Sequence, residues 1–126
     1  MTKGEEKIFN ILRKNKIPFI QEKSFYDLHK GTFRFDFYLP NNNIIIEFDG
    51  EQHFNHIKHF HKTRQEFMHA KENDRRKNAY CLAHSYKLYR IPYWDLDKIN
   101  NINDIFSNKY LVTTKYWNDF LIPPNK

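Results

Sequence analysis

The chain has 126 residues, of which 40% are hydrophobic and 17% aromatic, which suits a single domain, residues 1–126, around one core. Lysine and arginine (21) outnumber aspartate and glutamate (15), and the net charge of +6 favours a polyanionic partner such as nucleic acid. The single cysteine excludes an internal disulfide and a cysteine zinc cluster. No long apolar run opens the chain, so we expect an intracellular protein without a signal peptide or membrane span.

Hydrophobic periodicity predicts, in chain order, a helix, three strands, a helix, a strand and a helix. The helices are expected over residues 2–15, 63–85 and 95–110, the last one short and broken, and the strands over 19–25, 32–39, 43–49 and 86–94. Thr2 and Thr63 are each followed three residues later by a glutamate, a pattern typical of helix N-caps. Residues 50–62 are expected to form a loop, and residues from about 108 to 126 a loosely packed tail.

Carboxylates occur inside the two most apolar predicted strands, "FRFDFYL" and "NIIIEFD". In the first, strict alternation places Phe33, Phe35, Phe37 and Leu39 on one face of the sheet. If residues 40–43 form the turn, the strands pair so that Asp36 lies opposite Glu47, and Arg34 opposite Asp49.

Like charges directly opposite each other destabilise a sheet, so the Asp36–Glu47 pair needs an explanation. One explanation is a solvated face on which Arg34 and lysines screen the carboxylates. The other is a bound divalent cation, because Mg²⁺ is held by one or two carboxylates and keeps several waters. Such a metal lowers the pKa of a bound water and stabilises charge on a phosphate, as phosphodiester cleavage requires.

Several histidines follow the second carboxylate strand, and His53 is the nearest to it. Their spacing, with no cysteine to help, matches no strong zinc pattern. A histidine suits general-base catalysis at neutral pH, which favours His53 in that role.

The second predicted helix is basic, with Lys71, Arg75, Arg76 and Lys77 available for phosphate contacts or simply solvated. Asp74, Lys77 and Cys81 recur on one side of this helix, which could face the carboxylates. Cys81 is interpreted as a small buried residue rather than a nucleophile.

The segments "TKGEEKIFNILRK", "FRFDFYLP", "IIIEFDGEQH" and "YKLYRIPYWDL" resemble the PD-(D/E)XK nuclease superfamily. They are most similar to its branch of very-short-patch repair endonucleases and related phage and homing endonucleases, over residues 2–97. The resemblance implies an α/β fold with a restriction-endonuclease-like αβββαβ core, in which a mixed central sheet is flanked by helices. It also implies a magnesium- or manganese-dependent deoxyribonuclease, in the cytoplasm of its cell or, if phage-encoded, of the host.

The resemblance also assigns roles to individual residues. Asp36 would be the central metal ligand and Glu47 the second acidic residue of the motif. Glu5, on the first helix, would hold metal or water, and His53 would lie near the attacking water.

Residue 49 is Asp where the superfamily usually has Lys. Either Asp49 is a further metal ligand, or another residue, Lys77 or Gln52, supplies the positive charge. The DNA contacts are expected from basic side chains, namely Arg34, Lys71, Arg75 and Arg76.

Two alternatives stay open at this stage. The chain could be a non-catalytic DNA-binding module with a degenerate site, or a nickase that recognises junctions or mismatches. An enzyme of this size that cuts both strands needs either a homodimer or two successive encounters.

Overall fold

The computed structural model describes residues 1–53 and 63–113, with His53 described by its backbone alone. The helices are α1 (Lys3–Lys14), α2 (Arg64–Ala83) and α3 (Ile102–Ile105), and the strands are β1 (Ile20–Ser24), β2 (Arg34–Leu39), β3 (Ile44–Asp49) and β4 (Lys87–Pro92). Short 3₁₀ segments lie at His29–Gly31, Glu51–His53, Tyr93–Lys98 and Asn108–Tyr110. The predicted order of elements is confirmed, including the broken character of the last helix.

Both predicted N-caps are confirmed. The Thr2 hydroxyl accepts a hydrogen bond from the Glu5 backbone N–H at 3.2 Å, and the Thr63 hydroxyl accepts one from the Glu66 N–H at 3.1 Å. Each hydroxyl satisfies a backbone N–H that has no partner within its own helix, so the start of each helix is encoded locally.

The sheet has the strand order β1-β2-β3-β4, antiparallel except for the parallel pair β3 and β4. Helix α2 connects the parallel strands, as such a crossover requires. The predicted register of the hairpin is confirmed near the turn, where Leu39 pairs with Ile44 and Phe37 with Ile46, whereas the predicted pairing of Arg34 with Asp49 lies beyond the end of the regular ladder. The chain therefore has the α/β class and the mixed sheet that the sequence predicts.

Helices lie against both faces of this sheet. One cluster joins Ile8 and Leu12 of α1 to Phe37, Ile46 and Ile91 of the sheet. The other joins residues of α2 to the opposite face, namely Tyr80, Cys81, Phe35, Ile45 and Leu88. The two clusters exclude water from both faces around the middle of β3.

One prediction about β2 is wrong. Phe35 packs in the α2 cluster and Phe37 in the α1 cluster, so the two rings do not share a face. The regular pairing of β2 skips Asp36 on the side of β1, and on the side of β3 it ends at Phe37. The alternation therefore breaks at Asp36, because side-chain hydrogen bonds replace the backbone ladder there.

The packed chain extends beyond residue 108, where the loose tail was predicted to begin. The Tyr110 hydroxyl donates a hydrogen bond to the buried Asp95 carboxylate at 2.9 Å, and the Val112 N–H donates to the Leu88 carbonyl at 2.8 Å. These contacts correct the start of the tail, since Tyr110 and Val112 are buried. Residues 114–126 lie outside the described part of the chain.

Within the described ranges, no helix has the length and apolar character needed to cross a membrane.

Candidate functional site

Three carboxylates from three different elements converge at the interruption in β2. One oxygen each of Glu5 from α1, Glu22 from β1 and Asp36 from β2 lies within 4.8 Å of the others. Glu5 and Asp36 were predicted site residues, whereas Glu22 was not singled out from the sequence. An acidic residue in a polar edge strand carries no signal by itself, and only the pairing of β1 with β2 brings Glu22 to this place.

Glu22 has an unusual backbone, with φ of 52°. For a residue with a side chain, this left-handed conformation costs about 1–2 kcal/mol relative to ordinary backbone. The distortion lies next to the point where the pairing between β1 and β2 skips Asp36. Strained backbone of this kind tends to persist where the surrounding structure holds it, often at functional sites.

Asp36 and Glu47 contact each other's strands through their side chains. The Asp36 backbone N–H donates to Glu47 Oε1 at 3.3 Å, and the Phe48 N–H donates to Asp36 Oδ2 at 2.7 Å. The structure therefore brings Asp36 and Glu47 together across the hairpin. Both side chains are largely removed from water, Glu47 being buried and Asp36 half-buried.

This environment raises the pKa of the Asp36 carboxyl to about 9. Burial is the largest cause, followed by the negative charge of Glu47, with a further contribution from Glu5. The hydrogen bond from the Phe48 N–H and the charge of Lys77 act in the opposite direction. Without a cation, Asp36 therefore carries a proton at neutral pH, and a nearby divalent cation would favour its ionised form.

Gly4 allows α1 to approach the sheet closely enough to present Glu5. The Phe48 ring packs directly on Gly4, and a Cβ at that position would overlap the ring atoms. Because Glu5 is the next residue, this close approach sets the position of its carboxylate over β2. The contact with Phe48 is what reveals the role of this glycine.

Lys77 of α2 supplies a positive charge to the carboxylates. Its Nζ lies 2.8 Å from Glu47 Oε1 and donates to the Arg34 carbonyl at 2.7 Å. The same ammonium lies 4.8 Å from the centre of the Phe35 ring. Of the two residues predicted to replace the motif lysine, Lys77 is the one that contacts an acidic residue of the motif.

Asp49 lies in a different environment from the one predicted for a metal ligand. Its Oδ1 lies 2.8 Å from Nη1 of Arg90, and both side chains are buried. Arg90 also donates to the Asn78 side-chain oxygen at 2.7 Å and lies 3.6 Å from the Asp74 carboxylate. Asp49 is thus compensated by Arg90, and it does not belong to the cluster of Glu5, Glu22 and Asp36.

Arg90 was missed by the sequence analysis, although "YKLYRIP" carries a signal. A single arginine within an apolar strand is buried only when it is paired, so it predicts acidic partners nearby. Here Asp49 and Asp74 are these partners.

A cleft of about 340 Å³ opens beside Lys77, between the start of β2 and the middle of α2. Of the predicted DNA-binding residues, Arg34 and Lys71 line this cleft. Burial lowers the pKa of Lys71 from its usual value. Arg75 and Arg76 instead contact Glu72 of the same helix. Nη1 of Arg75 lies 3.4 Å from Glu72 Oε2, and Nε of Arg76 lies 3.9 Å from Glu72 Oε1.

The remaining predicted residues have separate positions. Gln52 lines the cleft, and its side chain lies close to Gly50, where a Cβ would come within 2.5 Å of the amide oxygen. His53 has its backbone in the 3₁₀ segment after Gly50, and its side chain lies outside the described part of the structure. Cys81 is buried, and burial raises the pKa of its thiol to about 12, in keeping with a packing role.

Comparisons with known proteins do not assign the chain to a family. No protein-family model matches it, and no solved structure matches it. A curated protein of Invertebrate iridescent virus 6, "Uncharacterized protein 307L", is 33% identical to it over 58 residues. The match covers 46% of this chain and 29% of the viral protein, so the chain spans less than a third of that relative.

Proposed function

We propose that this protein is a metal-dependent deoxyribonuclease that hydrolyses phosphodiester bonds within DNA. The observation that carries the proposal is the half-buried Asp36, which has Glu5 and Glu22 beside it and exchanges hydrogen bonds with β3 at Glu47 and Phe48. Burial raises its pKa, and the negative charges of Glu47 and Glu5 raise it further, so a cation bound beside it would favour the ionised form. The resemblance to the PD-(D/E)XK superfamily supports the same function.

The donor set fits Mg²⁺ or Mn²⁺. These hard cations prefer oxygen ligands such as carboxylates to nitrogen or sulfur ligands. Asp36, Glu5 and Glu22 would hold the cation, with Glu47 adjacent to Asp36. When bound, the cation supplies an activated water and stabilises negative charge on the phosphate.

Within this arrangement, Lys77 would stabilise the phosphate that is cut. Its ammonium is held by Glu47 and by the Arg34 carbonyl, so it is positioned before DNA arrives. A charge that is already positioned costs no reorganisation when negative charge develops on the phosphate. Lys77 would therefore fill the role of the lysine that the superfamily usually has at the position of Asp49.

Arg90 would act at a distance from the reaction. By compensating Asp49 and Asp74, it ties the ends of β3 and β4 to α2, the helix that carries Lys77. We infer that this ion-pair network keeps Lys77 and Glu47 in register.

Supercoiled plasmid provides the direct test. The wild-type protein should convert it to nicked or linear DNA with Mg²⁺ or Mn²⁺, and EDTA should stop the reaction. Asp36→Asn and Glu5→Gln should remove cleavage. The controls are Asp97→Asn and Glu6→Gln, which neutralise exposed carboxylates outside the cluster of Glu5, Glu22 and Asp36 and should cut normally.

Cleavage by Asp36→Asn at the wild-type rate would refute the assignment. DNA binding by the wild-type protein with no cleavage in any divalent cation would instead favour the non-catalytic DNA-binding module.

A further inference from the structure

The cleft beside Lys77 has a size and shape suited to a single nucleotide. Its volume of about 340 Å³ lies near the lower end of the range of roughly 300–1,000 Å³ typical of small-molecule sites. Lys77 belongs to this cleft and also contacts Glu47, so the cleft adjoins the carboxylates directly.

The described lining combines the three kinds of group that a nucleotide requires. Arg34, Lys71 and Lys77 supply positive charge for phosphates, and the Phe33 ring supplies an apolar surface for a base. The amides of Gln52 and Asn73 offer both donors and acceptors for a base edge. Asp74 also lines the cleft, but its carboxylate lies 3.6 Å from Arg90, which compensates its charge.

An aromatic pair stands at the edge of this cleft. The His29 and Phe33 rings are stacked, with centroids 4.6 Å apart and planes inclined by 11°. The His29 side chain is exposed. Thr32 lines both this cleft and a neighbouring hollow that is also lined by His29 and Lys30. Aromatic rings on which a base can stack, beside cations that hold the backbone, are a common means by which proteins bind unpaired bases without regard to sequence.

The backbone that carries His29 is itself unusual. His29, Lys30 and Gly31 all have left-handed conformations, with φ of 48°, 53° and 77°. Gly31 adopts such a conformation at no cost, whereas His29 and Lys30 do not. The turn is followed directly by Thr32 and Phe33, so it places the His29 ring against Phe33 at the mouth of the cleft.

We propose that the cleft binds an unpaired nucleotide of the strand that is cut, so that the substrate is DNA with a single-stranded segment at the scissile position. This inference rests on the proposed nuclease function and specifies its substrate. The base lies against Phe33 and His29, and the phosphates lie along Arg34, Lys71 and Lys77. Since Lys77 contacts Glu47, the strand passes from the cleft to the carboxylates.

Fluorescence anisotropy in EDTA measures the strand preference without cleavage. The probes are a labelled single strand of about 12 nucleotides, within the usual range of site sizes, its blunt duplex, and a duplex with a single-stranded overhang. The wild-type protein should bind the single strand and the overhang about tenfold more tightly than the blunt duplex, as one stacked base allows.

Two variants test whether the cleft causes this preference. Phe33→Leu keeps apolar volume but removes the ring, and His29→Ala removes the exposed partner, which does not threaten folding. Each should reduce the preference to about twofold or less, because the stacking surface is lost. The control is Tyr26→Leu, which removes an aromatic ring that is 81% exposed and does not line the described cleft, and it should leave the preference unchanged.

Equal binding of single strand and blunt duplex by the wild-type protein would overturn the inference. A preference that survives in both variants would overturn it as well. The outcome is separate from that of the plasmid assay. A protein that keeps the strand preference but never cuts would refute the nuclease function and retain the single-strand site. A protein that cuts DNA without the preference would retain the nuclease function and refute the single-strand site.

Discussion

Arg90 and Asp49 form a buried ion pair, with Nη1 of Arg90 2.8 Å from Oδ1 of Asp49. The pair connects neighbouring positions of parallel strands, since Asp49 pairs with Pro92 and Glu47 with Arg90 in the register of β3 and β4. If the proposed resemblance to the PD-(D/E)XK superfamily holds, residue 49 is the position at which that pattern has a lysine. In this protein the positive charge beside Asp49 comes from Arg90 of β4. The positive charge beside Glu47 comes from Lys77 of α2.

Removal of Arg90 should therefore be costly. Arg90→Met removes a buried cation that contacts both Asp49 and Asp74, and loss of one partner of a buried pair costs about 3–5 kcal/mol of the free energy of unfolding. Urea denaturation measures this loss. Arg76→Met, at an exposed position of α2, should change stability by less than about 0.5 kcal/mol. A similar small effect for Arg90→Met would show that the pair adds nothing.

The raised pKa of Asp36 predicts a pH-dependent stability in the metal-free protein. In the unfolded chain this carboxyl titrates near its usual value of 3.8, and in the folded protein near about 9. Between these values the folded state holds a proton that the unfolded state has released, so stability falls as the pH rises from about 4 to about 9. Asp36→Asn keeps the acceptor for the Phe48 N–H but does not titrate, so it should lack this dependence.

Thermal melts in EDTA at about pH 5, 7 and 9 test this sign. Near neutral pH, Asp36→Asn should melt above the wild-type protein. Added Mg²⁺ should narrow this difference, because a ligand at ten times its dissociation constant stabilises the wild-type protein by about 1.4 kcal/mol, whereas Asp36→Asn lacks one ligand and should gain less. If Asp36→Asn melts lower in EDTA, the Asp36 carboxyl has a structural role instead.

Lys77→Met should affect cleavage more than DNA binding. The ammonium next to Glu47 is positioned to stabilise the phosphate, and removal of one such group lowers the rate by about 10²–10³-fold. Single-turnover kinetics at saturating protein separates the rate from affinity, and circular dichroism checks folding. Lys14→Met, on the exposed last turn of α1, is the charge-matched control and should cut at the wild-type rate.

Glu22 can be tested by comparing two substitutions that remove the same charge. Glycine at residue 22 adopts the left-handed backbone without strain, whereas glutamine keeps the strain that glutamate has there. In EDTA, the glycine variant should therefore be more stable than the glutamine variant, by up to about 1 kcal/mol. Calorimetric titration with Mg²⁺ should show weaker binding for both. Wild-type affinity in both variants would remove Glu22 from the metal site.

Gly4→Ala should destabilise the protein although alanine is the better helix former. A Cβ at residue 4 overlaps the Phe48 ring, and overpacking of this kind costs about 1–3 kcal/mol. Phe48→Leu in the same chain should restore part of the loss by making room. Asn10→Ala, at an exposed position of α1, should be neutral or stabilising. Chemical denaturation of the wild-type protein, Gly4→Ala, Gly4→Ala with Phe48→Leu, and Asn10→Ala shows whether overpacking outweighs the higher helix propensity of alanine.

The sequence predicted features that depend on neighbouring residues. Thr2 and Thr63 cap the two long helices because each hydroxyl reaches an N–H only three residues away. The hairpin register followed from the turn between Leu39 and Ile44 and from the matching apolar positions. The juxtaposition of Asp36 with Glu47 is a consequence of that register.

The alternation within β2 could not be predicted in the same way. Periodicity assumes an unbroken backbone ladder, and it placed Phe35 and Phe37 on one face. The carboxylates at Asp36 and Glu47 accept backbone hydrogen bonds, and this breaks the alternation between the two rings.

The sequence by itself determined the order of the elements, their caps, the hairpin and the presence of acidic residues within it. Tertiary structure decided which charges meet. Glu22 reaches Asp36 through the pairing of β1 with β2, Lys77 reaches Glu47 because α2 crosses the sheet, and Arg90 reaches Asp49 through the parallel pairing of β3 with β4. A side chain in low dielectric responds to every charge within a few ångströms, whatever its distance along the chain. Composition and spacing do not contain that information until the chain is folded.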